Sequence, residues 1–263
     1  MRLKNKKKRI GLSETMYLLL LIIIPFYSFL SKSEEWAIIF VGDSITEGGA
    51  LPNPQTQAPP ARAFDYVKSK SGKGMVGFSN QGHGGATTFD FLPGKDYYKN
   101  VQKAADFYEG KPHLLFSIML GANDSAIEGT TGAPVSEGGY VSNLEMIIDS
   151  LHVAYPNSAF VLHKPLWYSS NTYNSAKYLQ EGLDRIGIYG KAIDKLVAQY
   201  GKEGKNYVFV GDTNGYAYFK KNHMSKMRPQ EGRQGVFYLH PNEGGSQELG
   251  ILWARALLKK VLD

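Results

Sequence analysis

The chain contains no cysteine. Disulfides, thiolate metal sites, a cysteine nucleophile and a lipid-modified N-terminal cysteine are thereby excluded, and the fold must rest on its hydrophobic core. With 263 residues the chain is long enough for that, as one large α/β domain or two small ones. Basic surface is scarce too. The formal net charge is +6, but Arg2, Lys4, Lys6, Lys7, Lys8 and Arg9 account for all of it, and the remainder is neutral. A nucleic-acid-binding face needs cations clustered on the folded part, so no nucleic-acid partner is expected. His83, His113, His152, His163 and His223 form no pair at a helical metal-ligand spacing. Neither a metal nor any other cofactor is expected.

Long apolar runs are limited to one place. Residues 16–30 (Met-Tyr-Leu-Leu-Leu-Leu-Ile-Ile-Ile-Pro-Phe-Tyr-Ser-Phe-Leu) follow the basic stretch directly. A positive flank before an apolar segment is the pattern of an export signal. The run falls short of the ~20 residues that span a bilayer. Residues 1–35 are therefore expected to be a signal peptide or a membrane anchor, touching the membrane during export or staying in it, with residues 36–263 as the folded domain. Ser31-Lys32-Ser33 is a weak small-residue cleavage site. The domain is then expected outside the cytoplasm, periplasmic or extracellular.

Five short apolar runs read as buried strands: Trp36–Val41, Met75–Ser79, Leu114–Leu120, Ala159–His163 and Tyr207–Val210. They do not alternate strictly, as expected of parallel strands covered on both faces. Helical stripes separate most of them. Val141, Leu144, Ile147, Ile148 and Leu151 make one. Leu179, Leu183, Ile186, Ile193 and Leu196 make another, which is expected to break near Gly187 and Gly190. A last helix is expected from about Ser246 to Val261. This order predicts a doubly wound parallel sheet whose ligand site lies beyond the carboxyl ends of the strands. Ala50–Pro60, Gly129–Gly139 and Lys220–Gly235 read as loops, the third polar and basic.

Chemistry gathers at the strand ends. Gly42-Asp43-Ser44-Ile45-Thr46 follows the first strand, and a tight turn there exposes the Ser44 hydroxyl, which needs a base to become a nucleophile. The Gly-x-Ser-x-Gly elbow is absent, since residue 46 is threonine; the alternative is an ordinary turn capping the next helix. Asn80-Gln81-Gly82-His83-Gly84-Gly85-Ala86-Thr87-Thr88 follows the second strand, with glycines that let the backbone approach a ligand. It lacks the lysine of a P-loop and the spacing of a dinucleotide fingerprint. Gly121-Ala122-Asn123-Asp124 ends the third, and an asparagine amide there is suited either to an oxyanion or to capping. His240-Pro241-Asn242 precedes the last helix, and the proline restricts the histidine backbone to extended conformations.

Together these four blocks resemble the SGNH subgroup of the GDSL-type lipase/acylhydrolase family, over residues ~36–262. The resemblance implies a three-layer α/β/α sandwich with a central five-stranded parallel sheet, flavodoxin-like in type. It implies Ser44 as nucleophile and His240 as base, with the N–H groups of Ser44 and Gly82 and the Asn123 side chain as the oxyanion hole. The expected activity is a serine esterase acting on a carboxylic ester, a short acetyl ester on a carbohydrate outside the cytoplasm; the expected partner is that small-molecule or glycan ester. One position departs from the family pattern. The acid expected three residues before the histidine is Phe237. Three readings follow: a backbone carbonyl holds the ring, a relocated acid does so (Glu231, Glu243 or Asp212), or catalysis is lost. The last would leave a carbohydrate-binding protein on the same scaffold; an acyltransferase to a sugar hydroxyl is the other alternative. Trp167, Tyr168, Tyr216 and Tyr218, beyond the fourth and fifth strands, are candidate sugar-stacking residues.

Overall fold

The computed structural model describes residues 34–108 and 113–263. The expected signal or anchor lies outside them except for Glu34 and Glu35. Among the described residues, no helix is long and apolar enough to cross a membrane.

In chain order the elements are β1 (Glu35–Gly42), α1 (Ser44–Glu47), α2 (Pro54–Gln57), α3 (Pro59–Lys70), β2 (Gly74–Gly82), α4 (Asp96–Asp106), β3 (His113–Met119), α5 (Glu137–Ala154), β4 (Ala159–Leu162), α6 (Leu179–Lys202), β5 (Val208–Val210), α7 (Gly215–Lys226), β6 (Met227–Gly232), β7 (Gly235–Pro241) and α8 (Glu243–Leu257). Strands β1–β5 form one sheet in the order β2-β1-β3-β4-β5, and every pairing in it is parallel. The chain leaves β1 to build β2 on one side, then returns to build β3 on the other. The carboxyl end of β1 is therefore the topological switch point, where open α/β sheets bind ligands.

Alternation along β1 sorts the two cores. Trp36, Ile38 and Phe40 face one layer with Phe64 and Val67 of α3, Phe219 of α7 and Trp253 of α8. Ala37, Ile39 and Val41 face the other with Val101 of α4, Leu144 and Ile148 of α5 and Ile193 of α6. Both faces of the central strands are buried, which is why their sequences are largely apolar; buried Ser117 of β3 is satisfied by His163 Nε2 at 2.9 Å. The result is the expected three-layer sandwich.

Three expectations change. Helix α6 runs unbroken through Gly187 and Gly190. Each glycine costs about 1 kcal/mol relative to alanine, and the buried stripe of Leu183, Ile186, Tyr189, Ile193 and Leu196 outweighs that. The stretch Ala50–Pro60 is not a bare loop, because α2 and the start of α3 fall inside it, each opened by proline at its first turn. The stretch Lys220–Gly235 holds the end of α7, all of β6 and the turn into β7. Strands β6 and β7 pair antiparallel as a separate two-stranded ribbon.

Candidate active site

Ser44 opens α1 at the switch point. Asp43 caps that helix, its Oδ1 accepting from Ile45 N at 2.9 Å, a contact worth about 1 kcal/mol. Being first in its helix, Ser44 has no intrahelical acceptor for its own N–H. The hydroxyl meets His240 from the far end of the chain: Ser44 Oγ and His240 Nε2 are 2.9 Å apart. A proton can pass directly between those atoms.

The other ring nitrogen settles the question raised by Phe237. His240 Nδ1 lies 2.8 Å from Gln230 Oε1. An amide oxygen only accepts, so Nδ1 carries the hydrogen and Nε2 is left to accept from Ser44. Gln230 sits on β6, within the segment expected to be loop. The ladder register shifts between Met227 and Pro229, an irregularity of the kind that re-aims side chains. None of the three candidate acids touches the ring. Asp212 accepts from Asn214 N and Gly215 N at the start of α7, Glu243 meets Arg62 at 3.5 Å, and Glu231 is exposed. Nor does a backbone carbonyl do the work. Burial, then the nearby Arg228 guanidinium, push His240 down to about 4.

Asn123 reaches the same place from the end of β3. Its side chain is nearly fully buried. Nδ2 donates to Ala86 O at 2.9 Å, and Oδ1 accepts from the Tyr178 hydroxyl at 2.7 Å. These contacts fix which way the amide points and leave one Nδ2 hydrogen for the cleft. Ser44, Gly85, Asn123, Thr130, Tyr178 and His240 line one cavity of about 310 Å³.

Gly82 is not among those residues. Strand β2 continues to Gly82, and its N–H donates to Asn80 Oδ1 at 3.0 Å. A Cβ there would lie 2.1 Å from Glu47 N, so this glycine serves the close approach of β2 to α1. Gly85, at φ +76° and with open space around it, is the glycine of this block that lines the cleft. Its loop is pinned by buried Asp124, which accepts from Thr88 N at 3.0 Å and from the Thr88 hydroxyl. Burial pushes Asp124 up to about 6 and Asp43 up to about 7.

The aromatic candidates for sugar stacking mostly lie elsewhere. Trp167 and Tyr168 are buried, the former beside His223 and the latter bonded to Ser125 Oγ at 2.7 Å. Tyr216 and Tyr218 pack against the core.

Gln230 and Gly85 are the residues sequence reasoning missed. Gly85 stands in the same glycine block, three residues past Gly82. Gln230 carried no signal of its own.

The comparisons agree with this architecture. A family model described as GDSL-like Lipase/Acylhydrolase family matches residues 40–248. No curated protein matches the chain. Among solved structures, a member of the lipolytic protein G-D-S-L family from Veillonella parvula DSM 2008 is 17% identical, with a TM-score of 0.52 over 86% of this chain and 98% of that one. A catalytic mutant of an acetylxylan esterase from Geobacillus stearothermophilus is 18% identical, with a TM-score of 0.53 over 85% and 93%. A two-domain esterase active on acetylated mannans is 18% identical, with a TM-score of 0.54 over 94% of this chain and 54% of that one. At such identities the likeness speaks for the fold, while the family match spans most of the sequence. The chain belongs to the GDSL-like lipase/acylhydrolase family and is a carboxylic ester hydrolase.

Proposed function

We propose that the protein is a serine esterase that removes short acyl groups, acetyl above all, from a carbohydrate outside the cytoplasm. The observation that carries the reading is the 2.9 Å contact of Ser44 Oγ with His240 Nε2, on a cleft that Asn123 also lines. In the cycle, His240 Nε2 takes the Ser44 proton as Oγ attacks the ester carbonyl. The developing oxyanion is held by the N–H groups of Ser44 and Gly85 and by Asn123 Nδ2. His240 returns its proton to the departing alcohol oxygen. It then accepts one from the water that attacks the acyl-enzyme and returns it to Ser44 Oγ as the C–Oγ bond breaks, and the acid is released. The cycle calls on no cofactor.

The substrate reading draws on the cleft walls. Thr130, Thr131, Asn174 and Ser175 offer short polar side chains, suited to a hydroxylated alcohol more than to a long alkyl chain. Two of the structural neighbours are described by their action on acetylated xylan or mannan. The basic and apolar residues 2–30 support export.

A panel of acetylated glycans and of aryl esters from acetyl to long-chain, assayed with the parent and Ser44→Ala, tests this. Acetate release that falls with acyl length and vanishes in the variant is expected. Preference for long chains would overturn the substrate class, and parent-like turnover in Ser44→Ala would overturn the nucleophile. Acylated sugar appearing in place of free acetate would mark transfer instead of hydrolysis.

A further inference from the structure

The hairpin β6–β7 does more than bring Leu239 and His240 to the cleft. We propose that Gln230 is the positioning residue of this site, an uncharged amide at the place where a carboxylate would orient the catalytic histidine, and that it keeps the His240 base unprotonated and the esterase working in acidic solution. The inference rests on the hydrolase reading for its kinetic arm only.

The geometry sets both halves of the claim. Gln230 Oε1 at 2.8 Å from Nδ1 selects the tautomer whose Nε2 accepts from Ser44. A carboxylate in that place would do the same, but it would also attract the proton that turns imidazole into imidazolium. Gln230 selects the tautomer without that attraction. The surrounding charges do not replace it. On β6, the group acting on His240 is the cation of Arg228, whose Nη1 donates to Ala50 O at 2.9 Å. Asp43, beside Ser44, turns its carboxyl to Ile45 N. On α1, Glu47 acts on His83 instead. At the start of α8, Glu243 is held by Arg62. On β7, the residue three before the histidine is the buried ring of Phe237. The ring nitrogens are thus engaged by a neutral amide and a neutral hydroxyl, with a cation nearby, and burial adds to the cost of protonation.

There is a cost to this arrangement. The imidazolium that forms as Ser44 attacks lacks a charged partner, so the site gives up some transition-state stabilisation. What it gains is a base that stays competent where a histidine paired with a carboxylate is already protonated.

The test uses the full chain, its Gln230→Glu and Gln230→Leu variants, and two readouts. The first is the His240 imidazole titration and tautomer by nitrogen-15 NMR, assigned against His240→Asn; it needs no turnover. The parent is expected to show the Nδ1–H tautomer and a titration below that of an exposed histidine. Gln230→Glu, nearly isosteric, is expected to raise that titration by about 1–3 pH units. The second readout is the pH profile of kcat/KM for acetate release from phenyl acetate. Its acid limb should move up with the NMR titration in Gln230→Glu. In Gln230→Leu, kcat should fall by about tenfold or more, up to the roughly 10²–10⁴-fold that a general base contributes, with KM held. A Gln230→Glu titration that matches the parent, or a Gln230→Leu enzyme with full kcat, overturns the proposal. Absence of all ester turnover in the parent overturns the hydrolase reading instead, and the NMR arm still decides the role of Gln230.

Discussion

Gln230 is the cross-strand partner of Phe237 in the β6–β7 ribbon. Its amide oxygen lies 2.8 Å from His240 Nδ1, whereas the Phe237 ring is buried against Gly232, at 1% exposure. The two residues serve different ends: the Gln230 amide meets the imidazole, and Phe237 packs in the core.

Restoring the acid by sequence position therefore fails. Phe237→Asp removes a buried ring and puts a carboxylate among Leu239, Phe219 and Trp253 of the same core. The expected outcome is a loss of about 3–5 kcal/mol or more, read as a lowered urea midpoint, with no gain in turnover. A folded Phe237→Asp enzyme with raised kcat would show that the acid reaches the ring from β7 after all.

Gly82 and Gly85 are separable in the same spirit. A Cβ at Gly82 would collide with the Glu47 and Thr46 backbone at 2.1–2.6 Å. Gly82→Ala is thus expected to cost stability of a few kcal/mol, as overpacking does. Gly85→Ala meets no neighbour, but it asks alanine to hold φ +76°. That strain is about 1–2 kcal/mol, and relieving it would re-aim the N–H proposed for the oxyanion hole. Its expected signature is a small change in Tm beside a drop in kcat of about 10²-fold. Thermal melts and kcat on phenyl acetate distinguish the two. Equal losses of kcat at unchanged Tm would return the oxyanion role to Gly82.

The amide of Asn123 is aimed by Tyr178, its donor at 2.7 Å. Asn123→Ala should lower kcat by about 10²–10³-fold with little effect on KM. Tyr178→Phe leaves Asn123 Oδ1 buried without that donor, at about 1–3 kcal/mol of stability, and frees the amide to turn. Its kcat should fall by less than that of Asn123→Ala. The double variant should be no slower than Asn123→Ala alone if the tyrosine acts through the asparagine, and a further loss in the double variant would give Tyr178 a separate part in catalysis.

Much of this was legible in the sequence because the central strands are buried on both faces. Trp36–Val41 is apolar throughout and Leu114–Leu120 is interrupted only by Ser117, and the cleft residues Ser44 and Asn123 each follow three positions on. The site was less legible where structure depends on partners. The sequence predicts that strand β2 ends at Ser79; it runs on to Gly82 because Asn80, Gln81 and Gly82 stay paired with Phe40, Val41 and Gly42 of β1, and the open loop begins three residues later. Strand β6 was hidden because Arg228, Pro229 and Glu231 are exposed. A two-stranded ribbon with one wet side shows no apolar run, and proline argues against a strand. Gln230 meets His240 through a ladder register that no local pattern encodes.

Acid should stabilise the folded protein in a window that Asp43 defines. Burial raises this carboxyl to about 7, against the pull of the Ile45 N–H, and the charge of Asp124 adds to the rise. The unfolded value is about 3.9. Between roughly pH 4 and 7 the folded state therefore holds the extra proton. The corresponding stability is fully present below the unfolded value and is lost as pH climbs through the folded one. Asp124, raised to about 6 mainly by burial, acts in the same direction. Surface acids held low by lysines, such as Asp96 beside Lys99, slope the other way in parent and variant alike, so the difference between two proteins is the quantity to measure. Asp43→Asn keeps an Oδ1 to accept from Ile45 N and removes the titration. Relative to the parent, its urea-unfolding free energy should improve by on the order of a few kcal/mol as pH rises from 4 to 7, then level off. A difference that stays flat across that range would mean Asp43 is already ionised in the folded protein at low pH, with its helix cap and the α1 backbone supplying the solvation that burial removes.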